Sequence, residues 1–344
     1  MKFFKSRAAV AATSVALTLL ATLAYANLTG GEKKIVHQLP RLFESDDAEF
    51  ERALSALLGP AMVGGNRIDT LRNGDEIFPA MLQAIREARQ TITFETYIYW
   101  SGEIGKAFVD ALIERARAGV AVHVLLDWVG SLKMDTVMID RMRQSGIEVE
   151  RFHEPGWSTW DKLNNRTHRK LLVTDGRLGF TGGVGIADQW LGDAQNPDQW
   201  RDNHFRVEGP VVAQMQSVFL DNWMRATGKV LHGDRYFPQQ TPAGDARAQM
   251  FSSSPQGGSA SMYLMYLLAI TAAHSSIDLG NAYFVPDDMT AKALIDAARR
   301  GVQVRVLTPS TVIDSEVVRQ ASRAGWGPLL AAGVQIAEFQ PTMF

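Results

Sequence analysis

A histidine, a lysine and an aspartate fall within eight residues of one another, and a pair of glycines follows. The segment reads His168-Arg169-Lys170-Leu171-Leu172-Val173-Thr174-Asp175, with six more residues before Gly182-Gly183. Each type suits phosphoryl transfer. An imidazole can attack phosphorus, or pass a proton near working pH. An ammonium group can neutralise phosphoryl oxygens. A carboxylate can orient an imidazole, and two residues without side chains allow close backbone approach. Leu171-Leu172-Val173 reads as a buried strand, so the pattern also fits a strand flanked by ordinary surface charges. The glycine pair at its fixed distance favours the site.

The segment resembles the HKD motif of the phospholipase D superfamily, and residues 66–344 look like its cardiolipin synthase branch. The family carries two such motifs and this chain shows one. The resemblance implies two motifs meeting across a pseudo-twofold axis. One histidine forms a phosphohistidine, and the other protonates the leaving alcohol and deprotonates the incoming one. On this reading His168 is the candidate nucleophile, Lys170 holds phosphoryl oxygens and Asp175 supports a histidine. Gly182, Gly183 and Glu95 are the expected substrate-binding positions, and no cofactor or metal is expected. Many related motifs carry an asparagine shortly after the glycines. This chain has Gly183-Val184-Gly185-Ile186-Ala187-Asp188, which puts one phosphate contact in doubt and leaves Asp188 read as a surface residue.

The implied reaction joins two phosphatidylglycerol molecules and releases glycerol. Three other readings stay open: a phospholipase D that hydrolyses the same bond, a one-motif nuclease working as a homodimer, and a membrane-bound remnant that binds headgroups without turnover. Expected partners are a phospholipid and the membrane surface, with no nucleic acid.

Glu95 interrupts an otherwise apolar strand. Buried, it would need a partner such as Lys170 or a histidine; alternatively it faces solvent at the strand end. Asp202 and His204 follow the motif as possible rim residues, with a structural role favoured for His204. Trp157 and Trp160 either reach lipid headgroups or pack on their own domain. His123, His153, His204, His232 and His274 lack metal-ligand spacing.

The elements that must hold these residues are legible as α/β. Periodicity predicts helices over 74–89, 104–118 and 135–144, and strands over 91–100, 120–127 and 147–152. A short helix is expected over 46–58. The order then returns, with a strand over 275–284, a helix over 290–300 and a strand over 302–307. Ala111-Leu112-Ile113-Glu114-Arg115 matches Ala293-Leu294-Ile295-Asp296-Ala297, and Gly119-Val120 matches Gly301-Val302. The fold class expected is therefore two tandem phospholipase D-like α/β repeats, each a mixed sheet flanked by helices and related by a pseudo-twofold. The second is incomplete, because related sequences place the second H-x-K about where this chain stops. Boundaries are expected at 1–26, 27–65, 66–235 and 236–344.

Composition agrees with two packed units: 344 residues, 46% hydrophobic and 21% charged. Net charge is −2, and Lys2, Lys5 and Arg7 with no acid in the first 26 residues leave about −5 on the rest. That balance argues against nucleic acid. The chain has no cysteine, which excludes disulfides and thiolate chemistry. Residues 8–26 form an apolar run ending Ala24-Tyr25-Ala26. It reads as a signal peptide cut after Ala26 or as a retained anchor. Either places the body outside the cytoplasm, on the periplasmic side in a bacterium.

Overall fold

The structure is a computed structural model that describes residues 2–28, 35, 37–152, 154, 166–253 and 260–344. Trp157 and Trp160 lie outside the described residues. Helix α1 (Lys2–Leu28) carries no acid in its first turn. Its stretch Arg7–Tyr25 is long and apolar enough to cross a membrane, by length and composition. A shorter helix, α2 (Ala48–Leu58), follows Asp47 as expected.

The body is built on an eight-stranded mixed sheet. Its strands are β1 (Val63–Arg72), β2 (Thr91–Thr96), β3 (Ala121–Asp127), β4 (Glu148–Phe152), β5 (Leu171–Thr174), β6 (Leu178–Gly182), β7 (Asn203–Glu208) and β8 (Ala246–Ala248), in the order β4-β3-β2-β5-β6-β7-β1-β8. The pairs β2–β3 and β3–β4 are parallel, while β2–β5, β5–β6 and β6–β7 are antiparallel. On one face, α3 (Asn73–Glu87) and α4 (Glu103–Arg117) bury Ile77, Phe78, Phe108 and Leu112 against Phe94, Val124, Leu172 and Phe180. On the other, α6 (Val211–Thr227) buries Val212, Phe219 and Trp223 against Leu125, Leu171 and Val173. Each such side chain contributes roughly 1.5–3 kcal/mol. The intervening helix α5 (Thr136–Gln144) is capped by Asp135, whose carboxylate accepts from the Val137 amide at 2.9 Å.

The expected repetition is present as topology. Helix α7 (Ser261–Ala272), strand β9 (Ser276–Gly280), helix α8 (Asp288–Arg299), strand β10 (Gln303–Pro309), helices α9 (Glu316–Ala324) and α10 (Trp326–Ala331) and strand β11 (Gln335–Phe339) repeat the order from α3 to β4. The three strands pair in parallel around β10, with Ile277, Leu294, Val304 and Leu329 in their core. Gly119 and Gly301 both adopt positive φ, +89° and +93°, where each helix hands over to its strand.

Three expectations change. The strand expected over 275–284 stops at Gly280. The strand beginning at Thr91 stops at Thr96 rather than Trp100, because the Trp100 amide donates to Ile186 O at 2.8 Å and Tyr99 bridges to Ile186 instead. The segment expected to end at Gly65 already contains the first three residues of β1, a strand whose glycines and polar residues hide it from any apolar pattern.

Candidate active site

Sheet direction alone collects the site. The carboxyl ends of β2, β3 and β6 and the amino ends of β5 and β7 lie along one edge, because β5 and β7 run antiparallel to β2 and β6. Tyr97, Asp127, His168, Lys170, Gly182 and Asp202 therefore emerge together. Carboxyl ends of parallel strands are where open α/β sheets bind ligands.

The residues around His168 are extended, so side chains alternate between faces. Thr167 and Arg169 point to α6. Arg169 donates to Val218 O at 2.7 Å and to Asp221 Oδ2 at 3.0 Å. The Thr167 hydroxyl donates to Glu95 Oε1, and Asn222 Nδ2 donates to the same oxygen at 2.6 Å. The Thr167 amide donates to Asp127 Oδ2 at 2.9 Å, and Asp127 Oδ1 accepts from Val129 and Gly130. His168 and Lys170 are thereby left together on the other face. Lys170 Nζ stands 3.4 Å from His168 Nδ1 and donates to the His168 carbonyl at 3.2 Å. The Tyr97 ring lies against the imidazole, with centroids 4.7 Å apart.

Electrostatics suits both groups. Burial, then the Lys170 charge, pushes His168 down to about 4, a shift tempered by the exposed edge of its ring. Burial pushes Lys170 down to about 8 against the opposing pull of Asp202. At neutral pH the imidazole thus keeps its lone pair while the ammonium keeps most of its charge.

The remaining residues fall into place differently. Asp175 sits at the far end of β5, roughly 16 Å of extended chain from Lys170. Its carboxylate accepts from the amides of Arg89, Gln90 and Thr91 at 2.7–3.1 Å, joining the β5–β6 turn to the loop before β2. Gly182 and Gly183 face His204 and Asp202, and a Cβ on either glycine would collide with them. Asp188 is more than a surface residue. It caps α4, accepting from the Glu103 and Ile104 amides at 2.9 and 3.0 Å.

Glu95 is fully buried, so the solvent-facing reading fails, and its hydrogen bonds go to Thr167 and Asn222 rather than to Lys170. It holds Thr167, the residue next to His168, and makes no hydrogen bond to His168 itself. Tyr97, Asp127, Thr167 and Asn222 escaped sequence reasoning. Asp127 alone left a signal, as the acid that ends an apolar strand. Among the described residues, three potential metal ligands converge at one place, the exposed Glu44, Asp46 and His274.

Burial raises the Glu95 carboxyl above its ordinary 4.5, against the opposing effect of Arg169, Thr167 and Asn222. The folded state then holds this proton more tightly than the unfolded chain does, so the contribution of Glu95 to stability falls as pH rises from about 4.5 through the raised folded value. Glu95→Gln keeps an acceptor for Thr167 and removes the titration. Its urea midpoint is expected to change less between about pH 5 and about pH 8 than that of the unaltered protein. Identical pH slopes for the two proteins would show that Glu95 ionises in place without penalty.

Comparisons with known proteins place the chain in a family. A family model described as cardiolipin synthase, PLD-like domain, covers residues 81–223 and 266–344. Cardiolipin synthase 1 of Bacillus anthracis is 35% identical over 280 residues, 78% of this chain and 55% of that protein. Cardiolipin synthase A of Pseudomonas syringae is 34% identical over 291 residues, 84% of this chain and 60% of that protein. The chain thus spans between half and two thirds of the length of these relatives. Among solved structures, phosphatidylserine synthase of Haemophilus influenzae shares the fold, with a TM-score of 0.56 at 11% identity over 86% of this chain and 78% of that one. The arrangement around His168 and Lys170 is therefore found in a chain that belongs to the cardiolipin synthase family of phospholipase D-like domains.

Proposed function

We propose that this chain takes part in phosphatidyl transfer of the cardiolipin synthase type, with phosphatidylglycerol as donor and acceptor. One observation carries the reading: an imidazole and an amine share one face of an extended segment, 3.4 Å apart, at the carboxyl edge of the sheet. Attack on phosphorus by Nε2 uses the tautomer with its proton on Nδ1, in which Lys170 turns from Nδ1 and keeps its bond to the His168 carbonyl. A P–N bond forms, and the P–O bond to the leaving glycerol breaks. Lys170 balances the charge on the phosphoryl oxygens. A hydroxyl of the second lipid then attacks the phosphohistidine, giving cardiolipin and restoring the imidazole. The family resemblance assigns both proton transfers to the histidine of a second H-x-K, a motif that occurs once in these 344 residues.

Helix α1 supports a membrane location, since Lys2, Lys5 and Arg7 precede its apolar stretch and favour an inward amino terminus with the body outside. Incubation with phosphatidylglycerol vesicles and mass spectrometry of the products is the test. Cardiolipin with released glycerol is the expected result. Phosphatidic acid without cardiolipin would turn the assignment to hydrolysis, and the absence of any product would leave a headgroup-binding protein.

A further inference from the structure

We propose that His204 is a ligand for the phosphoryl group, gripping one of its oxygens together with Lys170. The inference rests on the phosphodiester substrate proposed above and adds a residue to its binding site. In the sheet, Gly182 lies directly opposite His204, and Leu171 opposite Thr181, so Lys170 stands level with Gly182 on the next strand. Cross-strand neighbours point to the same face. Lys170, Gly182 and His204 thus form one row, and its middle member has no side chain. The imidazole leans into that space: a Cβ on Gly182 would lie 2.5 Å from His204 Nδ1.

The second observation is what His204 lacks. It is 1% exposed, and neither ring nitrogen has a hydrogen-bond partner among the described residues. Buried polar groups are almost always paired, and leaving one unpaired costs about 1–3 kcal/mol. The protein supplies its own comparison. His123, 5% exposed, packs in the core with Nε2 2.8 Å from the Tyr236 hydroxyl. His204 has no such hydroxyl and instead borders the reactive lysine.

Burial, then Lys170, holds His204 neutral, pushed down to about 3. A neutral imidazole offers one N–H without adding a charge that would repel Lys170. In the structure Lys170 donates to the His168 carbonyl. Its movement onto a phosphoryl oxygen would open the space over Gly182 and let the same anion meet His204. Asp202, on the far side of Gly183, pulls on the Lys170 charge from its own flank.

The test uses the full chain in detergent, labelled with nitrogen-15 at histidine and titrated with inorganic phosphate. The His204 resonance, identified by its loss in His204→Gln, is expected to shift with the same phosphate dependence as that of His168. His204→Phe keeps the ring volume and removes the nitrogens, so phosphate affinity is expected to fall about tenfold, the loss of one hydrogen bond to an anion. His204→Gln, which keeps an N–H donor, is expected to restore part of it. A His204 signal unmoved while that of His168 shifts would overturn the proposal. So would unchanged affinity in a folded His204→Phe protein, or no response to phosphate at any concentration. The lipid reading is scored separately, by product formation from phosphatidylglycerol, so either inference can fail while the other stands.

Discussion

Exchange of His168 for alanine is expected to lower phosphatidyl transfer by about four orders of magnitude while leaving the fold intact. The loss is large because the imidazole is asked to supply both the attacking lone pair and a covalent intermediate, which no neighbour can replace. Lys170 is cationic, and the Tyr97 phenol is held protonated, above its ordinary range, by burial and by Asp127. The fold survives because one edge of the ring is exposed and the backbone on either side of it is anchored through Thr167 and Arg169. Lipid products and a trapped phosphoprotein, measured on the two proteins side by side, decide the matter. Full turnover in the alanine protein would remove His168 from the mechanism, whatever the lipid.

The second large effect is on stability. Asp175→Ala is expected to cost about 3 kcal/mol, because three amides lose a carboxylate that they share at 2.7–3.1 Å. The residue also sits at φ +53°, a conformation that aspartate and asparagine tolerate better than alanine. Asp175→Asn keeps one oxygen and the backbone preference, so it should lose about half as much. The folded fraction of both variants is expected to turn over lipid at nearly the normal rate, since all of β5 separates Asp175 from Lys170. Denaturant melts paired with activity per folded molecule test both halves of this expectation. A hundredfold fall in turnover with unchanged stability would instead place Asp175 in direct support of the histidine.

These two residues show how much was legible in the sequence. The spacing of His168 and Lys170 placed them on one face, because an extended chain alternates and nothing tertiary needs to intervene. The spacing of Asp175 could not say what it touches, because its partners, Arg89 to Thr91, lie more than eighty residues earlier. The apolar rhythm of the two repeats was readable for the same local reason. Their polar residues were not. By strand register Glu95 pairs with Leu125 and Gly280 with Leu307, so glutamate in one repeat answers to glycine in the other. Asp127 likewise answers to Pro309. The two repeats share the packing and differ at the carboxylates that hold Thr167, and no periodicity records such a difference. Helix α6 went unread as well, although it provides Asn222 and the acceptors for Arg169.

Thr167 itself has a consequence for how such a protein can diverge. Its amide is tied to β3 through Asp127, and its hydroxyl to β2 and α6 through Glu95 and Asn222. The residue before the reactive histidine is thus held from three elements at once, and a change at Asp127, Glu95 or Asn222 alone would disturb the start of the motif without touching it. Divergence of the chemistry is constrained at positions far from it in the sequence.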